Sequence, residues 1–142
     1  MNGNAELLNF IYQNSQMGTD TLSQLLEIAE DPNFREYLKK QLSGYEQFHR
    51  DAKQMLNDNG YDEKGIGTFD KMKTYLMINF QTMSDKSTTH LAEMLIVGGT
   101  MGIIEAIRDI RKYQEAEKDI LKLMKNLQKF EEDNTEKLKE FL

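Results

Sequence analysis

The segment GYEQFHRDA, residues 44–52, sets Glu46 and His49 three residues apart in a stretch with helical periodicity. At that spacing a carboxylate and an imidazole share one side of a helix. Both are ligands for iron or manganese, so Glu-x-x-His supplies half of a metal site. The same residues also read as a polar patch in mid-helix, hydrogen-bonded to Asn14, Asn134 or water, because buried polar groups need such partners. His90 and Glu93 form a second pair in reversed order. They lie about 12 Å along the axis from the level of Glu46, too far to complete one site, and read as a helix-surface ion pair.

Other chemistry is excluded by composition. The chain has no cysteine, which removes disulfides, thiolate metal sites, iron–sulfur clusters and thiol nucleophiles. A net charge of −6 with no block of like charge argues against a nucleic-acid partner, since phosphate binding needs clustered Lys and Arg. The nine methionines form no Met-x-x-Met run on one face and read as adaptable core filler rather than copper ligands. No residue is assigned a catalytic or cofactor-binding role. The start, MNGNAELLNF, lacks the basic and apolar regions of a secretion signal. The most apolar window, 91–107, is interrupted by Glu93 and three glycines, so it is expected to be too short and broken to span a membrane. A cytoplasmic location is the default expectation.

These side chains must be positioned by helices. One proline, nine glycines and 30% charged residues in 142 describe a single all-α domain over residues 1–142. The first helix is expected over 5–28, with Leu7, Ile11, Asn14, Gly18, Thr21, Leu25 and Ile28 on its seam. Asp31-Pro32 is a stop and restart, with Asp as cap and Pro in the first turn. The second helix carries Leu38, Leu42, Tyr45, His49, Ala52 and Leu56 and ends at the NDNGYD turn signal. Residues 61–83 make a long connection holding a short helix over 69–81, capped by Thr68 and using Phe69, Met72, Leu76 and Phe80. The third long helix spans about 84–112 and the fourth starts near Glu115, with Ile120, Leu123, Leu127, Phe130, Asn134, Leu138 and Phe141 on its seam. Two tight connections and one long one predict a four-helix bundle whose second and third long helices run parallel.

An internal repeat supports that topology. QMGTDTL (16–22) resembles TMGIIEAI (100–107) at an offset of 84, and QLSGYEQFH (41–49) resembles NLQKFEEDN (126–134) at 85. The second match pairs Tyr45 with Phe130, Glu46 with Glu131 and His49 with Asn134. Two related hairpins, 4–60 and 84–142, joined by a crossover at 61–83, with Glu-x-x-His in the second helix, resemble the ferritin-like superfamily of bacterioferritins and rubrerythrins. The resemblance covers the whole chain in architecture and implies a bacterial member of that superfamily.

In that superfamily the first and third helices each give a Glu, and the second and fourth each give Glu-x-x-His, around two iron ions. Here the resemblance maps Glu46, His49 and Glu131 onto ligand positions. Asn134 replaces the second histidine, and an amide is a poor substitute for imidazole. The first helix offers Gln13, Asn14, Gln16 and Met17 at the required level, and the third offers GGTMG (98–102). The resemblance therefore implies a degenerate di-iron motif. The expected function is a scaffold or interaction protein without a cofactor. The alternative is a metal-binding or redox protein holding iron or manganese with Glu46, His49 and Glu131. Gly18, Gly98, Gly99 and Gly102 are expected to let the first and third helices approach closely. The apolar excess of 91–107 predicts a homodimer through the third helix; no protein partner of another kind is indicated.

Overall fold

The computed structural model describes residues 2–63 and 70–142, and the side chains of residues 70 and 71 also fall outside that description. The protein is all-α, and no strand occurs among the described residues. Helix α1 covers Asn4–Ile28, α2 Pro32–Asp58, α3 Asp70–Gln81, α4 Thr88–Lys112 and α5 Lys118–Leu138, followed by a 3-10 turn at Lys139–Phe141. The expected Thr68 cap and the Phe69 contact lie outside the described residues.

Local signals set the boundaries. Asp31 Oδ2 accepts the Phe34 amide at 2.8 Å, with Pro32 at the first helical position, so the α1–α2 break falls where cap chemistry puts it. The Arg35 guanidinium reaches back to the carbonyls of Leu26 and Ala29. A cation there satisfies acceptors left open by the end of α1. Helix α4 begins at Thr88, later than the expected Ser84. Asp85 Oδ1 takes the Ser87 amide at 2.9 Å and Ser87 Oγ takes the His90 amide at 3.3 Å. These short side-chain bonds compete with helix over 85–87. Helix α5 also starts later than Glu115, because a turn closes from the Ala116 amide to the Tyr113 carbonyl.

Helices α1 and α2 pack along each other, as do α4 and α5. Across these pairs, Phe34 and Tyr37 of α2 meet Phe141, while Phe48 meets Phe130; α2 and α5 therefore run in opposite directions. Asn4 Oδ1 accepts the Glu117 amide at 2.9 Å and Asn14 Nδ2 reaches Glu131, so α1 and α5 run the same way. The core between them holds Leu7, Leu8, Ile11, Phe34, Leu38, Leu91, Ile120, Met124 and Leu127, each essentially inaccessible to solvent.

Two expectations change. Helices α1 and α4 do approach each other, with Gly102 of α4 beside Asn14 of α1, but the other three glycines make room for side chains of other helices. A Cβ on Gly18 would meet the Tyr45 ring at 2.7 Å, on Gly98 Leu76 at 3.3 Å, and on Gly99 Thr135 at 3.0 Å. Each of these three glycines admits a side chain from another helix. The apolar window is not broken either, because α4 runs unbroken through its glycines. By length and composition alone it could cross a membrane, with mean hydropathy 1.4 over 18 residues, 39% of that window being buried here. Glycine weakens a helix by only about 1 kcal/mol, which the packing on three sides offsets.

Candidate functional site

Glu131 sits in the middle of α5 and is 2% exposed. Its Oε1 accepts from Asn14 Nδ2 at 2.7 Å and its Oε2 from the Tyr45 hydroxyl at 3.0 Å. Gly102 of α4 completes this level: a Cβ there would lie 3.1 Å from Glu131 Oε2 and 3.2 Å from Asn14 Nδ2. The absence of a side chain at Gly102 leaves the carboxylate its place. Four helices thus meet at one level and contribute an amide, a phenol, a hydrogen and a single carboxylate.

Burial pushes the Glu131 carboxyl up to about 7, against the lowering influence of the Asn14 and Tyr45 hydrogen bonds. Desolvation wins because a charge in the core has too few dipoles to replace its lost water. Tyr45 is itself raised, first by burial and then by the neighbouring Glu131 charge. One turn away the Tyr37 hydroxyl donates to Asn134 Oδ1; burial, with Asp133 and Glu140 behind it, pushes Tyr37 up to about 12. Gln41 Oε1 and Asn134 Nδ2 are buried without a hydrogen-bond partner among the described residues. A cavity of about 40 Å³ lies beside Glu131, walled by Asn14, Gly18, Gln41, Tyr45 and Leu76. Its wall is mostly apolar, including Met17, Leu22, Met72 and Leu95, with Asn14, Gln41 and Glu131 as its polar members.

Glu46, His49 and Glu131 are not brought together. Glu46 is exposed on the outer side of α2. His49 is half-buried, stacked on the Tyr12 ring at 4.4 Å, with Nδ1 at 3.3 Å from both Ser15 Oγ and the Tyr12 carbonyl. Only Glu131 reaches the centre. The reason is rotational: each residue turns about 100° around a helix, and Tyr45 rather than Glu46 occupies the middle of the buried face. The buried positions make the same point. Phe34, Leu38, Gln41, Tyr45 and Ala52 of α2 occupy the places that Ile120, Met124, Leu127, Glu131 and Leu138 take in α5. That correspondence is shifted by one residue from the sequence match, and it sets Tyr45 in the place of Glu131.

These residues do not fit a two-ion centre. Among the described residues, no three His, Asp or Glu side chains gather as metal ligands would, and both oxygens of Glu131 are already engaged by neutral donors. The second pair dissolves as well, since His90 and Glu93 form no ion pair among the described residues. The residues that sequence reasoning underrated are Tyr45 and Gln41. Their signal was available in the α2 seam, where Leu38, Gln41, Tyr45 and Ala52 recur at helical spacing. Comparison with protein-family models, curated proteins and solved structures gives no match to this chain.

Proposed function

We propose that the chain is a ferritin-like four-helix bundle that has given up di-iron chemistry and acts as a non-catalytic scaffold or interaction protein. The observation that carries this reading is the central level of Asn14, Tyr45, Gly102 and Glu131, where a two-metal site would need carboxylates from all four helices. Asn14 and Tyr45 instead donate to Glu131 and hold it in place. The bundle topology is supported by the ends that meet. Helix α2 runs against α5, and Gly3 at the start of α1 abuts Tyr113 at the end of α4. Since α1 and α5 run the same way, α2 and α4 share the opposite direction. A chain with that order needs the α3 segment as its crossover.

Metal analysis of protein expressed in iron- and manganese-supplemented medium tests the reading. The expected content is far below one ion per chain, and addition of either ion should leave the melting temperature unchanged. Stoichiometric iron or manganese, with a metal-dependent rise in melting temperature that Glu131→Gln abolishes, would reverse it.

A further inference from the structure

The outer face of α4, turned away from α1, α3 and α5, is unusual for the solvated side of a helix. Leu91, Leu95, Gly98, Gly102 and Ala106 face inward and are buried. On the opposite side lies a stripe at alternating spacings of four and three: Glu93, Val97, Thr100, Ile104, Ile107 and Arg111. This side should be polar in a solvated helix. Instead Ile104 is 45% exposed, Val97 and Ile107 are half-buried, and none of the three belongs with the apolar side chains that pack on the core. Thr100 does not make the stripe polar, because its hydroxyl donates to the Ile96 carbonyl at 2.7 Å.

We propose that this stripe pairs with the same stripe of a second copy, antiparallel about a two-fold axis at the level of residue 102. The inference rests on the scaffold reading and names its partner. The order of residues selects this occupant. Read from either end, the stripe runs charge, aliphatic, small or branched, branched, aliphatic, charge, and the terminal charges are opposite. Antiparallel pairing brings Glu93 of each copy level with Arg111 of the other, closing both ends of a seam about 27 Å long. Val97 then faces Ile107, and Thr100 faces Ile104, small against large. Parallel pairing would oppose Glu93 to Glu93 and Arg111 to Arg111, and would align the two helix dipoles unfavourably. Glu93 and Arg111 take part in no ion pair among the described residues, so both are available. An interface of this kind is isologous and closed, which stops assembly at two copies.

Sedimentation equilibrium of the full chain, with its charge-reversal variants, is the test. The wild type is expected at twice the 16.6 kDa chain mass in the micromolar range. Glu93→Arg alone and Arg111→Glu alone should each weaken the dimer about tenfold, and the double reversal should restore it. A second measurement exploits the cysteine-free sequence: Thr100→Cys and Ile104→Cys chains should form a disulfide-linked dimer on mixing, in higher yield than either alone. A monomer throughout, or a dimer indifferent to the charge swap, overturns the proposal. So does a monomer that binds phosphatidylcholine–phosphatidylglycerol vesicles through Ile104, which would make the stripe a membrane contact. Metal content measured on the same samples separates the two readings: a metal-free monomer refutes only the dimer, and a metal-loaded dimer refutes only the loss of metal chemistry.

Discussion

A lone carboxyl group inside a helical core is a proton-binding device whether or not it has a task. Glu131 ionises near 4.5 in an unfolded chain and at about 7 when buried. Between those values the folded state binds more protons than the unfolded state. Stability from this group is therefore complete below pH 4.5 and is lost as pH rises through about 7. The full difference is on the order of 3 kcal/mol. Glu131→Gln keeps the shape, retains an acceptor for Asn14 and cannot ionise. The expected result is a variant close to wild type in urea midpoint at pH 5 and clearly more stable than wild type at pH 8. Parallel stability profiles for the two proteins across pH 5–8 would mean that Glu131 stays charged in the core and that its hydrogen bonds, not desolvation, govern it.

Helix α2 shows how one side chain fixes the way an element lies. Tyr45 stands edge-on to Phe130 at 5.0 Å between ring centres, presses on Gly18 and ends on Glu131. A methyl group on Gly18 would lie 2.7 Å from that ring, and Phe130 and the bond to Glu131 restrict its retreat. Gly18→Ala should therefore destabilise the protein by about 1–3 kcal/mol despite alanine's better helix propensity. It should also steepen the pH dependence described above, because loosening the Tyr45 bond removes an interaction that holds the Glu131 carboxyl down. A gain in stability, measured by urea unfolding, would show that the ring can shift. The helices themselves were legible in the sequence because capping residues and periodicity are local: Asp31-Pro32 and the Leu38–Tyr45–Ala52 seam stand where their chemistry requires. The centre was read one residue off. A Glu-x-x-His pattern drew attention to Glu46 and His49, whereas the burial of Tyr45 depends on a hole left by Gly18, a contact between different helices that no single-helix pattern encodes. Glu131 was legible only through its likeness to Glu46, the residue that in fact points outward.

Stability is not spread evenly over the five helices, and the unevenness connects α3 to Glu131. Helix α3 leans on α4 through Met72 and Leu76, both slightly exposed, while Met77 and Ile78 are 46% and 52% exposed. The other helices each own side chains that are wholly inaccessible. An element with so few buried contacts opens alone, below the global unfolding free energy. Its opening has a consequence at the centre, because Leu76 walls the cavity beside Glu131 and the Met72 side chain approaches the same level at Gly102. Lifting α3 admits water to the carboxyl and relieves the desolvation that raised it. The closed form then holds its proton more tightly than the open form, so rising pH favours opening through the range from 4.5 to about 7. Amide exchange across residues 72–81, corrected for its intrinsic pH dependence, should be less protected than in α1 or α5. That protection should fall between pH 5.5 and 8, and Glu131→Gln should remove the fall while leaving α3 the least protected helix. Equal protection factors at the two pH values in wild type would show that α3 opens without exposing Glu131, and would leave the carboxyl shielded by Asn14, Tyr45 and α4 alone.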